Sequence, residues 1–225
     1  MGDSAHTYDS DHSAGSAPVS QVERAQLCDL FDVVGPSAHT LSGDWDTHHL
    51  VAHLAAREGT PLGFLKVVRP KVGEEAVNEL VAEHDYSTLV NQIRGGPPRL
   101  SVFGTEFTDR QANTLEFFIH HEDVHRAMPE WNARQLPGWV EDEIWSRLKF
   151  FARGLMRKAP VGVRLERSGS GESTVPTRGK SESAIIKGKP SELALFAYGR
   201  GTVAAVDFSG PPESIELVQQ ATFGF

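Results

Sequence analysis

The feature that most constrains this chain is a change of hydrophobic period near residue 160. Up to that point apolar residues recur at spacings of three and four, most plainly in LPGWVEDEIWSRLKFFARGLMRKAP, where Val140, Ile144, Leu148, Phe151 and Leu155 fall on one helical stripe. VERAQLCDLFDVV predicts a first helix over 22–34. SGDWDTHHLVAHLAAREG predicts a second, with Asp46 or Thr47 as its N-cap and its end near Gly59 and Pro61. GEEAVNELVAEH and DYSTLVNQI predict two shorter pieces, or one bent helix, between 74 and 93. FTDRQANTLEFFIHHEDVHRAM predicts a long helix that opens at Thr108 or Asp109 and runs towards Pro129.

After Pro160 the period falls to two. VGVRLER, SAIIKG and TVAAVDFSG are strand-like, SGSGESTVPTRGKSES is a turn-rich connection, and KPSELALFAYGR and PPESIELVQQAT predict two short helices. The expected fold class is therefore α with a small α+β domain: an antiparallel helical bundle over 21–158 and a C-terminal α+β domain over 159–225. Residues 1–20 are rich in Ser, Asp, Ala and His and are expected to be a disordered tail.

Charge and cysteine usage narrow the chemistry. A formal net charge of -8 argues against nucleic acid or an anionic membrane surface as a partner, since phosphate contacts need clustered Lys and Arg. One cysteine, Cys28, can form neither an internal disulfide nor a Cys-rich zinc site, which fits a reducing, cytoplasmic setting. Cys28 is expected to pack within the first helix. No apolar run approaches the roughly 20 residues of a membrane span, and the N-terminal stretch has neither the basic nor the apolar region of a signal peptide. Small-molecule ligands are the expected partners.

Six of the ten histidines fall in two clusters: His48, His49 and His53 on the second helix, and His120, His121 and His125 on the long one. LEFFIHHEDVHRA holds two metal-binding patterns one residue out of phase. Glu116 and His120 form Glu-x-x-x-His, whereas His121, Glu122 and His125 form the His-Glu-x-x-His of zinc peptidases. The two pairs lie on different faces, and one interior was not expected to take both. Residues 113, 117, 120, 124 and 127 make a mainly apolar stripe interrupted by His120 and bordered by Glu116, and His53 lies on the apolar side of its own helix. His53, Glu116 and His120 have the donor composition of a catalytic zinc site; a hydrogen-bonded core cluster is the alternative. The peptidase pattern lacks preceding strands and needs a further ligand, for which Glu141 or Glu143 are candidates, and His121 and Glu122 also fit a solvated face beside Arg126.

The segments W-D-T-H-H-L-V-A-H-L and L-E-F-F-I-H-H-E-D-V resemble the two signature helices of the mycothiol-dependent maleylpyruvate isomerase family, among the DinB-like metal-binding four-helix bundles, and most of all an actinobacterial branch of it. SELALFAYGR is similar to the family's C-terminal helix ending in Gly-Arg. The likeness spans about 22–208, with one departure: His49 stands where the family commonly has an acidic residue. It implies a divalent metal, zinc by ligand type, on His53, Glu116 and His120. It further implies mycothiol or a similar low-molecular-weight thiol as cofactor and isomerase or S-transferase chemistry on a small electrophilic substrate. Asp123 would then orient an imidazole, or pair with Arg126 or Arg110 at the surface, and Arg200 would hold a substrate carboxylate or favour the C-terminus of its helix. A metal-stabilised or metal-free binding scaffold without catalysis is the alternative from a different class.

Overall fold

The computed structural model describes residues 17–59, 70–98, 106–174 and 183–224. Two compact units divide between Gln135 and Leu136. The first contains helices α1 (Val19–Val34), α2 (Thr47–Glu58), α3 (Pro70–Glu83), α4 (Tyr86–Arg94) and α5 (Glu106–His125). The second contains α6 (Gly138–Leu155), strands β1 (Gly162–Arg167) and β2 (Ser183–Gly188), helix α7 (Pro190–Ala197), strand β3 (Asp207–Ser209) and helix α8 (Pro212–Gln219). Most of the described residues are helical, with a small three-stranded sheet. Among the described residues no helix is long and apolar enough to cross a membrane.

In the first unit α1 packs along α5 and α4, and α2 packs against α3 and α4. Each helix contributes its apolar stripe to one core: Leu27 and Phe31 from α1, Leu50, Val51 and Leu54 from α2, Val77 from α3, Leu89 and Ile93 from α4, Phe117 and Val124 from α5. Asp46 caps α2 by accepting from the His49 amide, so the chain enters that helix at a fixed angle. The 74–93 stretch is two helices rather than one bent helix, since Asp85 takes an extended backbone at the N-cap of α4. Helix α5 already includes Glu106, ahead of the expected Thr108 or Asp109 start. Residues 1–16 of the expected tail lie outside the described residues, whereas Val19 and Ser20 are buried in the first turn of α1.

The second unit joins β1 and β2 in parallel, Val163 opposite Ala184 and Leu165 opposite Ile186, and adds β3 antiparallel to β2. Helix α6 groups here, packed on α7, although the sequence boundary was drawn after it. A reason is visible in Glu141, whose carboxylate accepts from both the amide and the hydroxyl of Ser191 at 2.9 Å and so caps the first turn of α7. Of the strand-like TVAAVDFSG only 207–209 is strand, because the Ala205 amide is taken by the Glu192 carboxylate at 2.8 Å. Residues 175–182 of the turn-rich connection lie outside the described residues.

Candidate metal centre

Helix geometry brings the expected ligands together inside the first unit. His53 lies in the middle of α2, and Glu116 and His120, four apart, share one face of α5. His53 Nε2 lies 3.2 Å, and His120 Nε2 3.4 Å, from the same oxygen, Glu116 Oε1. One ligand atom from each of the three lies within 4.8 Å of the others, and no other group of three such side chains converges in this way among the described residues. The side chains are 12–19% exposed. The imidazole rings meet at 70° with centroids 5.3 Å apart, and Trp45 lies 5.3 Å from the His53 ring on another side. Two imidazoles and a carboxylate, nearly buried and within reach of one point, suit a divalent ion such as zinc and leave coordination positions for exogenous ligands.

The surroundings tune each group differently. Burial pushes the His53 imidazole below its ordinary value, favouring the neutral form that a ligand needs. Burial alone would raise Glu116, but the Arg57 guanidinium and the two imidazoles outweigh it and hold the carboxyl well below the usual range. Burial would lower His120, yet its hydrogen bonds with Asp123 and Glu116 raise it. Asp123 is fully buried, and its Oδ2 accepts from His120 Nδ1 at 2.9 Å and from the Ser42 hydroxyl at 2.7 Å. A carboxylate can only accept here, so it holds a proton of His120 on Nδ1 and turns Nε2 towards Glu116 and His53, where a metal would take the place of the Nε2 proton. Of the two readings of Asp123, these distances fit the one in which it orients an imidazole, from a buried position rather than at the surface. Asp123 also accepts the Leu41 amide on its backbone carbonyl, tying the loop before α2 to α5.

The opposite side of α5 departs from expectation. His121 and Glu122 were read as fitting a solvated face, but they are 6% and 1% exposed. Helix α5 is covered on both sides because α1 packs along it: His121 Nδ1 donates to Glu23 Oε2 at 2.8 Å, and Arg134 donates to both Glu23 oxygens. Glu122 receives the guanidinium groups of Arg126 and Arg134. Its lone pairs are committed to two fixed cations, which removes the general base that a peptidase reading of His121, Glu122 and His125 requires. The candidate extra ligands Glu141 and Glu143 belong to the second unit, Glu141 to the α7 cap and Glu143 to a pair with Arg147.

Sequence reasoning missed Arg57, Trp45 and Ser42. Arg57 Nε lies 3.4 Å from Glu116 Oε1, and its only sequence signal is a position four after His53 on the same helical face. Arg200, in the second unit, donates from Nη1 to the Tyr198 carbonyl at 2.6 Å, a cation at the end of α7. Gly199, just before it, has φ 85°, and a Cβ there would come within 2.7 Å of the Phe223 carbonyl. Cys28 is buried as expected, its thiol pushed up to about 12 by burial.

No family model matches the chain, and no curated protein matches it in sequence. Two solved structures match its fold. The crystal structure of the mycothiol-dependent maleylpyruvate isomerase shows 16% identity and a TM-score of 0.55, over 85% of this chain and 89% of that one. A histidine-to-alanine mutant of that isomerase shows 14% identity and a TM-score of 0.55, over 85% and 90%. The fold is shared. At these identities the likeness concerns architecture, and the reaction is a separate question.

Proposed function

We propose that this chain is a divalent-metal-dependent enzyme of the thiol-dependent isomerase or S-transferase type, built on a DinB-like four-helix arrangement in its first unit. The observation that carries the reading is the convergence of His53, Glu116 and His120 on one nearly buried point, with His120 oriented through Nδ1 by Asp123. The shared fold with a mycothiol-dependent isomerase supports it. In this reading His53, Glu116 and His120 hold the metal, zinc by ligand type, and mycothiol or a similar thiol is the cofactor. A bound metal lowers the pKa of a coordinated thiol from about 8.5, so that the thiolate is present at neutral pH. The chain's own contribution is placement. Asp123 and Ser42 fix His120, burial favours the neutral form of His53, and the Trp45 ring packs beside the His53 imidazole.

The test is turnover of electrophiles such as maleylpyruvate by zinc-loaded protein with and without mycothiol. Activity that requires both the thiol and His53 supports the reading; turnover that persists without thiol, or in a folded His53→Ala protein, contradicts it.

A further inference from the structure

One buried cation near the centre is not a ligand. Arg57 is 3% exposed, and its guanidinium cannot coordinate a metal because it has no lone pair to give and stays charged at every accessible pH. It is anchored from both helices. Its Nη1 donates to Asn113 Oδ1 on α5, the Asn113 amide donates to Glu58 Oε1 at 2.8 Å, and Glu58 pairs with Arg24. A purely structural strut would be complete with these contacts. Yet Nε lies 3.4 Å from Glu116 Oε1, in ion-pair range of the same oxygen that both imidazoles approach.

We propose that Arg57 is a positioning residue that sets the charge of the metal centre: a fixed cation on the carboxylate ligand, which loosens the ion and keeps it electrophilic. This rests on the assignment of His53, Glu116 and His120 as ligands. A donor to a carboxylate withdraws the electron density that the carboxylate would give to a metal, and a positive charge nearby repels a divalent ion directly. Asp123 acts in the opposite sense, since an acceptor on His120 Nδ1 makes Nε2 a better donor. The centre therefore combines one strengthened and one weakened ligand.

The experiment is competition for zinc between a chromophoric chelator and the full chain, as wild type, Arg57→Gln and Arg57→Lys, with thermal melts and the cobalt(II) absorption spectrum of each. The Gln variant is expected to bind zinc more tightly, by on the order of 10-fold, with the cobalt spectrum unchanged, and the Lys variant to stay close to wild type. Equal or weaker zinc binding by a folded Gln variant with that same spectrum overturns the proposal and leaves Arg57 a strut. If Arg57→Gln does not fold, Arg57→Met supplies the reading: removing the charge while keeping an unbranched side chain should tighten zinc binding, and an affinity no higher than wild type in the folded variant overturns the proposal. Absence of zinc from the wild type would overturn the ligand assignment itself, an outcome distinct from unchanged affinity in the variant.

Discussion

Helix α5 carries two histidine and glutamate pairs, one residue out of phase, and the two sides meet opposite fates. On the α1 side His121 donates to Glu23, and Glu122 is clasped by Arg126 and Arg134, so each carboxylate is neutralised by fixed protein cations. On the α2 side Glu116 faces two imidazoles, His53 and His120, which can lose their protons and turn lone pairs to a metal; one guanidinium, Arg57, stands behind them. The residue types on α5 are almost the same. What decides between a structural clamp and a candidate centre is the surroundings: Glu23 of α1 with Arg126 and Arg134 from the chain beyond α5 on one side, and a second histidine, His53 of α2, on the other.

The largest expected effect is on the clamp. Glu122→Gln leaves two buried guanidinium groups sharing a lost partner, and breaking such a pair costs about 3–5 kcal/mol. Chemical denaturation should show that loss without any change in zinc affinity; a neutral Glu122→Gln would erase the distinction between the two sides. Next comes acid stability. The Arg134 and His121 charges overcome the opposing effect of burial and lower Glu23 from 4.5 to about 2. A carboxylate with a depressed folded-state pKa stabilises the fold above its unfolded value and ceases to do so as pH falls through the folded value. The loss is therefore expected between about pH 4.5 and 2 and amounts to about 3 kcal/mol. Denaturation midpoints across that window should fall less steeply in Glu23→Gln than in wild type, and parallel slopes would remove Glu23 from the clamp.

A smaller effect is expected at the orienting contact. Asp123→Asn keeps the size of the side chain but loses the charge behind His120, and zinc affinity should drop by roughly 10-fold with little change in melting temperature. A drop in stability with unchanged zinc affinity would assign Asp123 to holding the loop at Leu41 and Ser42 rather than to His120.

Much of this contrast was legible in the residue pattern, and the rest has physical reasons for being hidden. The helical and alternating periods predicted the element order, and the stripe through Phe117, His120 and Val124 placed His120 and Glu116 towards His53. The buried state of His121 and Glu122 was not legible, because Glu23, the partner of His121, lies 98 residues away in sequence, and Arg134, which joins Glu23 to Glu122, reads as an ordinary surface charge. Asp123 was ambiguous for a similar reason: its choice between a neighbouring arginine and His120 depends on Ser42, brought in by a loop with no helical period. Arg57 had a helical relation to His53, but nothing in the spacing told a buried cation from a solvated one. In the second unit Glu192 took the backbone that local alternation had assigned to a strand, a tertiary contact overriding β-propensity.

The most direct test of the two-sided account is metal content by elemental analysis of zinc-loaded wild type, His53→Ala and His125→Ala, each checked for helical content. The account predicts about one zinc per chain in wild type and in His125→Ala, and an affinity lowered by more than about 100-fold in His53→Ala, beyond the effect of an outer contact. Zinc kept by a folded His53→Ala protein, or lost on removing His125, would place the metal on the other side of α5 and contradict it.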